Sequence, residues 1–352
     1  MASFLTEFNA RVATYVRELE QMQARNKEEH SFSPSFWLEH ADFTLARDVF
    51  VAAGGSIGHE VTKFSLVYSS NKAPGAKEAA SICQALDKPC EQLIAAAKVA
   101  LFSGAGPSLA SEIISDSLRL VKSVRDLGVS IEVGELAKVP QLTGRVWEYS
   151  VARVSKSNCV ATKRRMLQCI TMLNTTIEEL KEVLAEQEEA EASGRGDGEE
   201  EQEERLDDVE QDDDFNFDSS LSLEEKALFE SGLQLLNMTC AILKRGVVTL
   251  KKYTAAASDD NDAFLKWTSA LDLSYSAITD HIVDIGAALY PPIEVDELSI
   301  TVDAVELAGA TILTKLMEEP ELAAATAGEL EKGRATFNQQ VASVKSLIEA
   351  SR

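Results

Sequence analysis

The stretch FESGLQLLNMTCAILKRGVVTL, residues 229–250, is the clearest indicator of the fold class of this chain. Its main apolar residues are separated alternately by four and three positions: Phe229, Leu233, Leu236, Cys240, Leu243, Val247 and Leu250. Residues with this spacing lie on one face of an α-helix, whereas a half-buried strand alternates apolar and polar residues. Ser222 and Glu225 precede the stretch with the spacing of a capping box, so we predict that a long amphipathic helix begins here.

The same period extends in both directions along the chain. It predicts a long helix from Ser33-Pro34 through Phe43 toward Tyr68, and one stopped by Pro291-Pro292. The other helices are predicted at about 5–22, 75–103, 107–127, 141–156, 158–190, 298–316 and 330–348. Glycine and proline, the residues that interrupt helices, together number only 26 of 352. The sequence therefore predicts an all-α protein.

Two features of this pattern allow more than one interpretation. Gly128 is predicted to close the helix opened by Pro107, and Val129–Val133 alternates like a strand. Because a single short strand would have no partner, we interpret this segment as an extended connector. The heptad-like spacing is compatible with a coiled coil between chains, but it equally describes the core of a helical bundle. We favour two bundles of long antiparallel helices, similar to vinculin and talin modules, in a monomer.

The negative charge is concentrated in one segment. The net charge is −24, and residues 186–218 contain seventeen acids and two bases. Such a segment has too few apolar residues to order itself, so 191–220 is predicted to be a disordered acidic linker between helical domains at 1–190 and 221–352. Its acids form a candidate electrostatic segment for basic partners: Glu199, Glu200, Glu201, Glu203, Glu204, Asp207, Asp208, Asp212, Asp213 and Asp214. The overall charge argues against nucleic acid or an anionic membrane as a direct partner.

Targeting and redox signals point to the cytoplasm, the nucleus or both. The first residues carry an acid and no apolar run, so a secretory signal is not expected. No uncharged apolar stretch approaches the length of a membrane span. The five cysteines are widely spaced and odd in number, which favours free thiols in a reducing compartment.

The sharpest catalytic lookalike is Gly54-Gly55-Ser56-Ile57-Gly58, which matches the nucleophile elbow G-x-S-x-G. An esterase serine needs a parallel sheet behind it, and the sequence predicts none. Asp280 and His281, the remaining triad candidates, are adjacent in a predicted helix and would point in different directions. We therefore expect no enzymatic activity, although the glycines leave open whether the long helix is continuous here.

Metal and cofactor motifs are not found in the sequence. The four histidines form no H-x-x-x-H pair, and no C-x-x-C begins a zinc site. Gly104-Ala105-Gly106-Pro107 lacks the strand and the Lys-Ser/Thr pair of a phosphate loop, so we interpret it as the loop before a helix. No cofactor is expected.

Several motifs occur in an order that resembles the Grap2 and cyclin-D-interacting (cyclin-D1-binding) protein family. They are Phe36-Trp37 early in a long helix that ends near Phe64 and Val67-Tyr68-Ser69, Trp147-Glu148, the acidic insert, and Leu289-Tyr290-Pro291-Pro292 at a helix end. The glycine cluster at Gly54–Gly58 departs from the pattern of that family. The resemblance implies two helical bundles without catalytic residues.

The resemblance also implies a regulatory function. Its expected partners are D-type cyclins and helix-loop-helix transcription factors, and its expected role is to restrain cell-cycle progression and transcription. A cytoskeletal or signalling scaffold of the vinculin and talin kind is the alternative, because a fold does not fix a function.

Overall fold

The computed structural model describes residues 4–28, 43–70, 74–102, 104–151, 154–194, 221–251, 262–319 and 324–352. Within these ranges the regular elements are ten α-helices and one short 3₁₀ turn at Leu136–Lys138, with no strand. The helices are α1 (Phe4–Glu28), α2 (Phe43–Tyr68), α3 (Ala76–Phe102), α4 (Pro107–Glu132), α5 (Val139–Ser150), α6 (Asn158–Gly194), α7 (Leu223–Lys251), α8 (Asp262–Ala288), α9 (Val295–Met317) and α10 (Ala324–Ala350). The prediction of an all-α fold is confirmed.

The chain forms two compact units. One comprises Met1–Arg164 with Tyr253–Ser269, and the other comprises Arg165–Lys252 with Ala270–Arg352. The change from one unit to the next falls inside α6. The predicted acidic linker at 191–220 lies mostly beyond the described residues, as do Ser33-Pro34 and Phe36-Trp37.

The core of the first unit is built by α1 to α5. Helix α1 packs on α3 and α4, and α2 packs on α3 and α5. The apolar residues that defined the period of α1 are buried: Leu5, Phe8, Val12 and Leu19. Phe8 contacts Phe64 of α2 at 5.3 Å between ring centroids, and Phe64 contacts Tyr68 at 5.0 Å. This aromatic row fixes α2 against α1.

Two ion pairs between α1 and α3 show the relative direction of these helices. Arg11 pairs with Asp87 of α3 at 2.9 Å, and Lys98 pairs with Glu18 at 3.0 Å, so α1 and α3 run parallel. Tyr15 donates a hydrogen bond to the same Asp87. Burial, followed by the negative charge of Asp87, raises the pKa of Tyr15 to about 12.

The predicted end of α4 at Gly128 is wrong. The helix continues to Glu132, so Val129–Val133 is not an extended connector. The helix ends instead at Gly134, whose φ of 84° is left-handed, with bonds from Glu135 N to Ser130 O and from Gly134 N to Ile131 O. This is a Schellman end, which favours glycine at that position.

Gly128 serves packing rather than termination. A Cβ at this position would lie 3.2 Å from Cγ of Asn9 and 3.5 Å from Cε1 of Phe8, both on α1. The missing side chain therefore allows α1 and α4 to approach each other closely.

The second unit contains α7, α9 and α10 with most of α6 and α8. Helices α7 and α8 run antiparallel, as do α9 and α10. The regularly spaced apolar residues of 229–250 are buried inside this unit. The predicted capping box is confirmed, because Ser222 Oγ accepts from Glu225 N and Glu225 Oε2 accepts from Ser222 N. Helix α8 ends at Ala288, shortly before the two prolines as predicted.

Glycines set the closest helix contacts of the second unit. A Cβ on Gly246 of α7 would meet the ring of the buried Tyr275 on α8. One on Gly309 of α9 would lie 3.0 Å from Cε1 of Phe337 on α10. Close packing of large rings against bare helix backbone defines the core here.

Candidate partner-binding face

Helices α2 and α5 pack antiparallel to each other and are joined by side-chain hydrogen bonds. Ser65 and Thr143 form a buried hydroxyl pair at 2.6 Å, and Thr143 also bonds the carbonyl oxygen of Val139 at 2.8 Å. Because the proton of Thr143 goes to Val139, the hydroxyl of Ser65 donates in the pair. One turn further along α5, the indole N–H of Trp147 donates to Thr62 Oγ1 at 3.2 Å.

Glycine allows the two helices to come close at the other end of this contact. A Cβ on Gly58 would lie 2.9 Å from the Cβ of Ser150. Helix α2 is continuous through Gly54–Gly58, which answers the question that the sequence left open. The glycine cluster thus lies within a helix that packs on α5.

Three exposed apolar side chains follow this contact. Trp147 is 48% exposed, Leu66 is 68% exposed and Val151 is 66% exposed. Leu66 lies one helical turn from Thr62, the partner of Trp147, and Val151 lies four residues beyond Trp147 in the opposite direction. Leu66 and Thr62 are four residues apart on α2 and therefore about 6 Å apart, whereas Val151 is the residue directly after the end of α5. We call these three residues the α2–α5 face.

Residues next to the α2–α5 face are packed against other helices of the first unit. Tyr149 of α5 is packed against the core, with the guanidinium of Arg119 on α4 lying 5.8 Å from its ring centroid. Tyr68 at the end of α2 bonds Cys83 of α3 at 3.3 Å. Exposed apolar side chains along a pair of packed helices suit the apolar face of an amphipathic partner helix.

A corner of the first unit holds the start of α6. Glu112 of α4 accepts hydrogen bonds from the backbone N–H and the hydroxyl of Ser155, and pairs with Arg164 at 3.0 Å. Asn158 accepts from Gly106 N and donates to Gly104 O, so the glycine segment is a loop before α4 as predicted. Arg164, part of the short basic run Lys163-Arg164-Arg165, has this structural role.

The second unit contains a separate apolar cavity of about 350 Å³. Ile242 of α7, Leu313 of α9 and Phe337 of α10 line it. The ion pair between Arg245 and Glu329, 2.8 Å long, lies at its edge. A cavity of this size accommodates bulky apolar side chains.

The residues that the sequence singled out for chemistry are not brought together. Ser56 is exposed in the middle of α2, and its hydroxyl donates to the carbonyl oxygen of Ala52 at 2.9 Å. Asp280 and His281 lie on α8, where His281 Nδ1 is 4.0 Å from Asp284. The ten acids from Glu199 to Asp214 fall outside the described residues. Over the described ranges, no group of three or more His, Cys, Asp or Glu residues could hold a metal ion.

None of the five cysteines forms a disulfide, and all five are buried. Burial raises the pKa of Cys90, and the charge of Asp87 adds to this effect. Cys83 and Cys90 are small core residues of α3, as their spacing of two turns predicts.

Residues 50–186 match the family model described as Grap2 and cyclin-D-interacting, N-terminal. The match covers less than half of the chain, and this region is similar to the Grap2 and cyclin-D-interacting family. The resemblance found in the sequence is therefore confirmed, and the α2–α5 face lies entirely inside the matched family region. No curated protein was found to be similar to the chain. Among the described helices, none is both long and apolar enough to cross a membrane.

The sequence could not have identified the α2–α5 face by itself. In the sequence Trp147 stands out only as part of a family motif, and Val151 belongs to no motif. These three residues belong to one surface only because α2 packs on α5 and leaves their side chains exposed. The one available sequence signal is the break in helical period, because Leu66 lies off the buried series Ile57, Val61 and Phe64.

Proposed function

We propose that this chain is a non-enzymatic regulatory protein that binds D-type cyclins. The observation that carries the proposal is the match of residues 50–186 to the cyclin-D-interacting family. As its consequence we further propose that the protein restrains cell-cycle progression and helix-loop-helix transcription factors, in both nucleus and cytoplasm.

The α2–α5 face is the proposed contact with the cyclin. Trp147 has the properties of an interface anchor, since it is large and half-exposed and its indole is held by Thr62. Tryptophan is enriched among the residues that dominate binding energy. Leu66 and Val151 extend the contact on either side, so an amphipathic helix of the partner can place one anchor against each.

The setting of Ser56 supports the non-enzymatic part of the proposal. Its hydroxyl is engaged by the backbone of its own helix, one turn back. A serine nucleophile instead stands on a strained turn with its hydroxyl directed at a base. Within α2 the serine acts as an ordinary surface residue.

Binding of the purified full chain to a recombinant D-type cyclin, measured by biolayer interferometry, tests the proposal. We expect Leu66→Ala with Trp147→Ala to weaken binding at least about tenfold, because truncating a buried aromatic anchor commonly costs more than 1 kcal/mol. Val99→Ala, which removes an exposed apolar side chain of α3 in the same unit, is the matched control and should bind normally. Melting curves of all variants establish that the fold is kept.

The alternative is a vinculin- or talin-like scaffold, which the two units of long antiparallel helices favour. Parallel binding measurements with a helix-loop-helix factor and with actin-linked proteins separate the two functions. Binding of the actin-linked proteins alone would overturn the cyclin proposal. Cyclin binding that is insensitive to the double substitution would keep the function but reject the α2–α5 face.

A further inference from the structure

Helix α9 has apolar residues on two opposite faces. One face packs in the second unit through residues that are fully buried: Leu298, Val302, Val305, Ile312 and Leu316. On the opposite face, Ile300 is 71% exposed and Leu307 is 72% exposed. These two are seven residues apart, which places them about 10.5 Å apart along one line of the helix.

The exposed line has one small and one acidic residue beside it. Ala304 lies on one side of the line between Ile300 and Leu307, the exposed Asp303 lies on the other side, and Thr311 extends the line by one more turn. Single exposed apolar residues are normal, but two large ones in register on one helix form a patch of the kind that marks an interaction site. We call Ile300, Ala304, Leu307 and Thr311 the α9 face.

Acidic residues surround the first half of the α9 face. Asp296, Glu297 and Asp303 are exposed and lie within four residues of Ile300. Arg352 pairs with Asp296 at 2.9 Å, and Lys345 of α10 pairs with both Asp303 at 2.6 Å and Glu306 at 2.5 Å. Together with Glu294, this rim has five acids against two bases.

The net negative charge of the rim indicates which kind of partner would bind to the α9 face. A second copy of the chain would bring two acidic rims together, and like charges across an interface are unfavourable. A helix with apolar anchors at i and i+7 and basic residues beside them would match both the spacing and the charge. The patch is about two helical turns long, which is the scale of such a peptide anchor pair.

We propose that the α9 face binds a basic amphipathic helix of another protein. This site lies outside residues 50–186 and does not depend on cyclin binding. Ile300 and Leu307 bury their side chains against the anchors, and the net negative charge of the rim, with Glu297 beside Ile300, attracts the basic flanks.

The test uses the full chain and a synthetic helical peptide of about 18 residues, with leucines on one face and lysine and arginine beside them. A scrambled peptide of the same composition measures attraction by charge alone, which matters for a chain with a net charge of −24. Fluorescence anisotropy gives the affinity, and a photoreactive group on the peptide gives the location.

We expect Ile300→Ala with Leu307→Ala to weaken binding of the ordered peptide at least about tenfold. Leu223→Ala with Val283→Ala removes two exposed apolar residues elsewhere in the chain and should leave binding unchanged. Glu297→Gln should weaken binding less, and its effect should shrink as salt rises.

Three results would overturn the proposal. The ordered and scrambled peptides could bind equally, which would show attraction by charge alone. The photoreactive group could label residues outside α9. Sedimentation could instead reveal a dimer that the double substitution dissociates, which would assign the face to a second copy.

Discussion

Replacing Gly246 by alanine provides a sharp test of the packing in the second unit. The new Cβ would overlap the hydroxyl of Tyr275 and lie 3.0 Å from its Cζ and 3.2 Å from Cε of Met166. The ring of Tyr275 cannot easily yield, because it is fully buried and its hydroxyl donates to the carbonyl oxygen of Leu243 at 2.5 Å.

The expected magnitude follows from three contributions. Overpacking a core costs about 1–3 kcal/mol, and loss of the Tyr275 hydrogen bond costs about 0.5–1.5 kcal/mol. Alanine regains about 1 kcal/mol over glycine inside a helix. The free energy of unfolding should therefore fall by about 2 kcal/mol, which corresponds to about 4–8 °C in a unit of this size.

The assay is differential scanning calorimetry, with Gly333→Ala as the matched control. A Cβ at Gly333 would meet nothing within 4 Å, so this variant should be about 1 kcal/mol more stable than the parent. In the Gly246→Ala background, Tyr275→Phe should cost little, because it removes the hydroxyl that overlaps. Equal or greater stability of Gly246→Ala would refute the reasoning.

Four further predictions concern other parts of the chain. Ser222→Ala should lower stability by about 1 kcal/mol through loss of the capping box, as measured by urea unfolding. Hydrogen bonds from Ser222 lower the pKa of Glu225, so the ionised carboxylate should stabilise the fold at neutral pH and lose this stabilisation as the pH falls below about 4. The variant Glu225→Gln should not show this loss of stability in acid. A thiol reagent should label the five cysteines slowly in the native protein and all of them in denaturant, and rapid native labelling would contradict their burial. A fluorophosphonate probe should leave Ser56 unlabelled, whereas labelling lost on Ser56→Ala would establish a nucleophile.

The acidic segment gives one more prediction. Replacing 193–217 by a Gly/Ser linker should leave the melting temperature nearly unchanged, because exposed charges contribute little to folding. Association with a basic partner should become slower, and the difference should shrink with salt. A fall of many degrees, or a defect only in dissociation that salt does not change, would show that the segment is a packed element.

Local sequence signals were enough for the helices themselves. The period of four and three depends only on which residues lie on one face, and the capping box at Ser222 and the prolines after Ala288 act within a few residues. The family motif at Trp147 was likewise readable from the chain. These features required no knowledge of what each helix would contact.

Only the tertiary structure decided the roles of the glycines and of the exposed apolar residues. The local sequence predicts a helix end at Gly128. In the structure Gly128 instead lets α4 pack closely against Asn9, which is more than a hundred residues away in the chain, and Gly134 ends α4. Trp147 meets Thr62, one turn from Leu66, because α2 and α5 pair. Ile300 is a surface residue because the opposite side of α9 fills the core. The sequence determined which residues share a helix face, since that depends on spacing along the chain, but which face is buried depends on the neighbouring helix.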